Sequence, residues 1–168
     1  LLSLVKPWQQ HFQPSQWRFR PQNPTQHLKV LPKSGVRRTG MFSEMIVKEQ
    51  GHLRSLFFIR PNGNELLESQ VDFKHPEILQ VAYTKEMLSA YAYVPKVETA
   101  LLVGVGGGGM IHALHAYHPT LHLDAVEIDP VVVALAQDYF GITTRKANAE
   151  HGKTEVITQD GFDFLAKT

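Results

Sequence analysis

Apolar and polar positions follow two different rhythms along this chain, and the change of rhythm divides it. Between residues 44 and 67 the apolar residues come in short runs, Met45-Ile46-Val47 and Leu53–Ile59, separated by Gln50-Gly51-His52. Runs of this length bounded by turn residues predict strands. Pro61-Asn62-Gly63-Asn64 is a stronger punctuation, and its Asn-Gly pair suits a type I′ hairpin into a third strand at 65–67. From 75 to 93 the rhythm turns helical: Pro76 suits a first turn, and Ile78, Val81, Ala82 and Leu88 recur at helical spacing. Strands and helices then alternate. Strands are predicted at Thr99–Val103, 121–128 and 155–158, and helices at Gly109–Tyr117, Pro130–Phe140 and 160–165. Asp129 is placed as the N-cap of the second of these helices, Pro130 at its first turn and Gly141 just past its end. Such alternation specifies a parallel sheet covered by helices.

Residues 1–43 carry no such rhythm. They are rich in Pro and Gln, hold seven Lys and Arg, and contain no Asp or Glu. Ten basic residues then face sixteen acidic ones in the remainder, so the chain reads as an acidic domain behind a basic, largely irregular arm. Trp8, Phe12, Trp17 and Phe19 interleave with that arm's charges, a composition compatible with single-stranded nucleic acid. Docking of these aromatics on the chain's own domain, or on a second copy in a homo-oligomer, is the simpler expectation, and nucleic acid is not expected as a partner. The organisation expected is therefore an arm at 1–43, an antiparallel β unit at 44–74 and a nucleoside-binding domain at 75–168. Cysteine is absent, which rules out disulfides and thiolate chemistry and fits a reducing, cytoplasmic setting. No apolar run approaches the roughly 18 residues needed to cross a bilayer, so no membrane association is expected.

The chemistry is concentrated in three strand tips. Gly104-Val105-Gly106-Gly107-Gly108-Gly109 joins a strand to a helix and fits G-x-G-x-x-G, a loop that brings backbone and free helix N–H groups against a ligand. Glu127 lies 18 residues after Gly109, at the tip of the next strand, where a carboxylate can accept both hydroxyls of a ribose. Asp160, at the third tip, suits an adenine amino group, the N-cap of the following helix, or both. Phe162 is expected to enter the core rather than border a base. Loop and ribose acid alone leave nicotinamide dinucleotides and S-adenosyl nucleosides both open.

Val126-Glu127-Ile128-Asp129-Pro130 followed by Gln159-Asp160-Gly161-Phe162 resembles the class I S-adenosylmethionine-binding fold, and more narrowly the spermidine synthase-like family of polyamine aminopropyltransferases. The likeness extends back through Arg54-Ser55-Leu56, Gln70, and Tyr83 ahead of Met87. It implies an α/β chain: a Rossmann-like parallel sheet, the first half of a class I methyltransferase fold, preceded by a small antiparallel β unit. It also implies a transferase that binds S-adenosylmethionine or decarboxylated S-adenosylmethionine, without metal, and passes an aminopropyl or methyl group to a polyamine or other nucleophile. Gly104, Gly106, Gly107, Gly108 and Gly109 would then line the nucleoside with Glu127, Ile128, Asp160, Gly161 and Phe162, while Gln70 and Tyr83 would face the substrate.

Two departures qualify the likeness. The family loop usually reads Gly-Gly-Gly-Asp-Gly-Gly, with its Asp on the aminopropyl amine, and here Gly107 holds that place. The family's catalytic Asp belongs to a fourth strand, which would lie beyond Thr168, so no catalytic residue is assigned and the chain is expected to be a fragment or completed by another. A methyltransferase proper, or a non-catalytic binding module of the same fold, is the alternative. His112, His115 and His118 make a stripe that invites a metal reading, but a solvated helix face is the expectation.

Overall fold

The computed structural model describes residues 28–94 and 96–167. Trp8, Phe12, Trp17 and Phe19 lie outside these. Four strands, β1 (Val36–Thr39), β2 (Glu44–Gln50), β3 (Leu53–Ile59) and β4 (Glu65–Asp72), form an antiparallel sheet in the order β1-β2-β3-β4. β1 precedes the expected onset of order at Glu44. Its Arg37 and Arg38 are exposed and only Val36 is buried, so no alternation announces it. The side chains of Met45, Ile46 and Val47 are all buried, so β2 is covered on both faces.

The hairpin between β3 and β4 corrects the expected turn. Asn62 does not have a positive φ, as a type I′ turn demands, whereas Gly63 has φ 81°. The Gly63 N–H donates to the Arg60 carbonyl at 2.8 Å and the Asn62 side chain accepts from the Asn64 N–H at 3.0 Å. The turn is thus closed one residue earlier, with the glycine supplying the left-handed step after it. The predicted helix over 75–93 is also shortened. Asp72 Oδ1 accepts from the Lys74 N–H at 2.8 Å and opens a run of turns, the local alternative that short acidic side chains offer the backbone. Helix α1 covers only Ala82–Met87 and passes into a 3₁₀ segment at Leu88–Ala92.

β5 (Thr99–Val103), β6 (His122–Glu127) and β7 (Thr154–Thr158) form a parallel sheet in the order β5-β6-β7, connected by α2 (Gly109–Tyr117) and α3 (Pro130–Phe140) and followed by α4 (Gly161–Leu165). α3 has the predicted ends: Asp129 Oδ1 accepts from the Val131 N–H at 2.9 Å, and Gly141 closes the helix at φ 73°. β5 is an edge strand, and Val103 is 56% exposed on it.

The two sheets share one core. Met45, Val47, Leu56 and Val71 of the first join Leu123 of the second and Ile111, Phe140 and Ile142 from the helices that cover it and the turn after α3. Polar straps fix their relation. Arg54 is buried, donates to the Tyr139 carbonyl at 2.5 Å, pairs with Glu49 and covers the Phe73 ring at 4.9 Å. Asp129, the α3 cap, also accepts from the Met41 N–H at 2.7 Å. The result is that the end of β4 lies against the start of α2, with the Gln70 carbonyl close to Gly109.

The histidine stripe is not a solvated face. The Nε2–H of His112 donates to the Phe140 carbonyl at 2.8 Å, and His115 Nε2 hydrogen-bonds Thr154 Oγ1 at 2.7 Å. Burial holds His112 below its ordinary pKa; burial, with the neighbouring Arg145, His112 and His151, pushes His115 down to about 3. The covering groups come from α3 and β7, distant in sequence, which is why helical spacing alone misplaced these rings. Among the described residues no three His, Asp or Glu side chains converge as a metal-binding group, and no helix is long and apolar enough to cross a membrane.

Candidate functional site

The glycine loop turns from β5 into α2 through a succession of left-handed steps, with Gly104, Gly106 and Gly108 at φ 93°, 53° and 73°. Gly108 is the most constrained, because a Cβ there would strike the Ile142 side chain as well as require that backbone. A Cβ at Gly107 would meet the Phe140 ring and Ser69 Oγ, both at 3.0 Å. A side chain at Gly107, where the resemblance implies an acid, would therefore crowd its neighbours on two sides.

Above the loop is a cleft of about 270 Å³, just under the roughly 300–1,000 Å³ of small-molecule sites. Gly104, Gly106, Gly109, Glu127, Gln70 and Tyr83 line it, so the two sheets contribute jointly. Glu127 is held rigidly: Oε2 accepts from the Val105 N–H at 2.9 Å and Oε1 from the Asp129 N–H at 3.0 Å. Each carboxylate oxygen retains a second lone pair. A polyol with two adjacent hydroxyls thus meets a preoriented pair of acceptors. Gln70 is oriented by its amide, which donates to Ser55 Oγ at 2.8 Å. The Tyr83 hydroxyl donates to the Glu68 carbonyl at 3.3 Å, and burial, then Glu68, raises its pKa.

The third strand tip stands beside the cleft, not within it. Asp160 Oδ1 caps α4 by accepting from the N–H groups of Phe162 at 2.8 Å and Asp163 at 3.1 Å. Among the described residues its Oδ2 takes no hydrogen bond. Gly161 packs against Val103, and Ile128 is 36% exposed at the β6 tip. Phe162 corrects the expected core position: it is 86% exposed, on a short helix none of whose residues is buried. A ring in that position is free to cover a planar group.

Residues not assigned to the site from the sequence complete the walls. Val81, Thr84, Met87 and Met110 give an apolar side, while Glu68 and Ser69 come from β4. Glu68 is half-buried, and burial followed by the Glu127 charge pushes its carboxyl above the ordinary range. The available signal was the apolar pair Leu66-Leu67 ahead of Glu68-Ser69-Gln70, which breaks strict alternation within a strand.

Residues 81–168 match the spermine/spermidine synthase domain family. A polyamine aminopropyltransferase of Vibrio vulnificus is 31% identical over 100 residues, covering 60% of this chain and 33% of that protein. An eEF1A lysine and N-terminal methyltransferase homolog of Drosophila melanogaster is 39% identical over 67 residues, 40% of this chain and 9% of that one. Among solved structures, a probable spermidine synthase from Corynebacterium glutamicum superposes with a TM-score of 0.58 at 16% identity, covering 75% of this chain and 44% of that chain, a likeness of fold. The chain spans a third of the length of the Vibrio relative.

Proposed function

The chain belongs to the spermine/spermidine synthase family, and from that premise we propose that its cleft binds an S-adenosyl nucleoside and serves transfer of an aminopropyl or methyl group to a nucleophilic acceptor. The observation that carries this reading is the Glu127 carboxylate, fixed by two backbone N–H groups beside the glycine loop with an acceptor site left on each oxygen. In this reading Glu127 takes the two ribose hydroxyls, Asp160 Oδ2 accepts from the adenine amino group, and the outward Phe162 ring covers the base. The 44–74 unit supplies Gln70, and the 75–168 domain supplies the nucleoside side together with Tyr83. The ligand contributes a carbon made electrophilic by the adjacent sulfonium.

The chain's own contribution is positioning and desolvation. The apolar wall of Val81, Met87 and Met110 keeps water from the reacting end, and Gln70 and Tyr83 hold the acceptor against it. Aminopropyl transfer is the first reading, supported by the family. Methyl transfer is the second, favoured by Gly107: an acid for an aminopropyl ammonium is absent there, and a side chain at that place would crowd Phe140 and Ser69.

Titration calorimetry with methylthioadenosine, S-adenosylmethionine and its decarboxylated form tests the proposal. Binding of methylthioadenosine with at least one sulfonium form is the expected result. Binding of none of them would sink the enzyme reading for this chain and favour a non-catalytic module. Tight binding of a nicotinamide dinucleotide in their place would overturn the choice of nucleoside.

A further inference from the structure

β4 contains an irregularity that the ladder makes explicit. Leu56 pairs with Ser69 but the next residue, Phe57, pairs with Leu67, so Glu68 is the extra residue of a β-bulge. Bulges leave a residue outside the pairing and re-aim its side chain, and they recur beside functional sites. Here the bulge turns Glu68 onto the cleft, where it shares the wall with Gly104, Gly106 and Glu127. The Tyr83 hydroxyl donates to the Glu68 carbonyl, so the bulge has its own support from α1. The neighbouring Ser69 packs against Gly106 and Gly107, tying the bulge to the glycine loop.

The charge at this point is unsatisfied. Among the described residues Glu68 makes no ion pair, and the charged group it feels is Glu127, which repels it. Two carboxylates on one partly buried wall, with no cation between them, are an arrangement that a bound cation stabilises.

Resting on the reading of the cleft given above, we propose that Glu68 is the residue that recognises an alkylammonium group in it, taking over the charge that Gly107 does not carry. An alkylammonium reaches such a site from two sources, the tail of a decarboxylated sulfonium nucleoside or an amine acceptor. A carboxylate here pairs with either, and it favours them over the tail of S-adenosylmethionine, whose ammonium comes with a carboxylate that Glu68 repels. Glu68 therefore sets specificity, while Glu127 sets affinity for the nucleoside.

The test is calorimetry on the full chain and its Glu68→Gln and Glu68→Asp variants with three probes. Methylthioadenosine has no ammonium, decarboxylated S-adenosylmethionine has one in its tail, and putrescine added to the methylthioadenosine complex supplies one as acceptor. Glu68→Gln is expected to bind methylthioadenosine within about twofold of the parent and to lose about tenfold or more on at least one of the cationic probes. Which probe loses affinity identifies the source. Glu68→Asp, which keeps the charge, is expected to retain most of the preference. Unchanged binding of both cationic probes by Glu68→Gln would overturn the proposal while leaving the nucleoside reading intact. Equal losses on all three probes, or the same losses in both variants, would mark Glu68 as merely structural and also overturn it. Failure of the parent chain to bind methylthioadenosine would remove the nucleoside reading itself and this proposal with it.

Discussion

Replacing Glu127 separates its two tasks. Its oxygens accept from the Val105 and Asp129 N–H groups within the fold, and in the proposed complex they accept from two ribose hydroxyls. A hydrogen bond to a charged acceptor contributes about 1.5–3 kcal/mol, so losing even one of the two ribose contacts weakens binding by about 10- to 150-fold. Glu127→Ala removes both, together with the acceptor of a loop N–H on Val105, which is 6% exposed. Leaving that donor unpaired costs about 1–3 kcal/mol of stability, and each kcal/mol lowers Tm by about 2–4 °C in a chain of this size. Glu127→Gln is the milder partner, since its amide oxygen still accepts. Calorimetry with methylthioadenosine is the right assay because this ligand is uncharged and isolates the ribose contact. The expected order is parent, Glu127→Gln, Glu127→Ala, with the Ala variant weaker by more than about tenfold. Affinity within about twofold of the parent in a Glu127→Ala variant that remains folded at the assay temperature would refute the ribose assignment.

Gly107→Asp supplies the acid that the resemblance implies for this loop, but its Cβ meets Phe140 and Ser69. The variant is expected to lose about 1–3 kcal/mol in denaturant unfolding without gaining affinity for decarboxylated S-adenosylmethionine. Gly108→Ala combines a left-handed backbone with a collision at Ile142, so a loss above about 1–2 kcal/mol and weaker nucleoside binding are expected from melting curves and calorimetry. His115, lowered to about 3 in the fold, binds a proton more readily when unfolded. Its stabilising contribution is therefore complete above its ordinary pKa of 6.5 and is lost as pH falls from there toward about 3. Urea midpoints are expected to drop between about pH 7 and pH 5, and His115→Gln to flatten that slope; an identical slope in the variant would show that other groups cause it. Arg54→Met is expected to loosen the antiparallel sheet from α3 by about 1.5–3 kcal/mol, read as earlier amide exchange in β2 and β3.

The parallel half of the fold was legible because its signals are local and redundant. Each strand is a short apolar run, each helix begins at a glycine or an Asp, and Glu127 follows at a spacing set by one helix and one strand. What escaped notice depends on partners far along the chain. β1 hides behind Arg37 and Arg38, which point to solvent, and only pairing with β2 makes it a strand. The 75–93 segment has helical spacing, yet Asp72 offers its backbone a turn first, so Ile78 ends up 48% exposed. His112 and His115 are covered by Phe140 and Thr154, contacts that no helical wheel contains. Glu68 was overlooked for a different reason: a bulge is a relation between two strands, and only the register of β3 against β4 discloses it.

A crystal structure of the chain with methylthioadenosine tests the central claim most directly. The expected result is density in the Gly104–Gly109 cleft with both ribose hydroxyls on the Glu127 carboxylate and the adenine amino group beside Asp160 Oδ2. A nucleoside seated elsewhere, or lying in this cleft with its ribose turned away from Glu127, would contradict it.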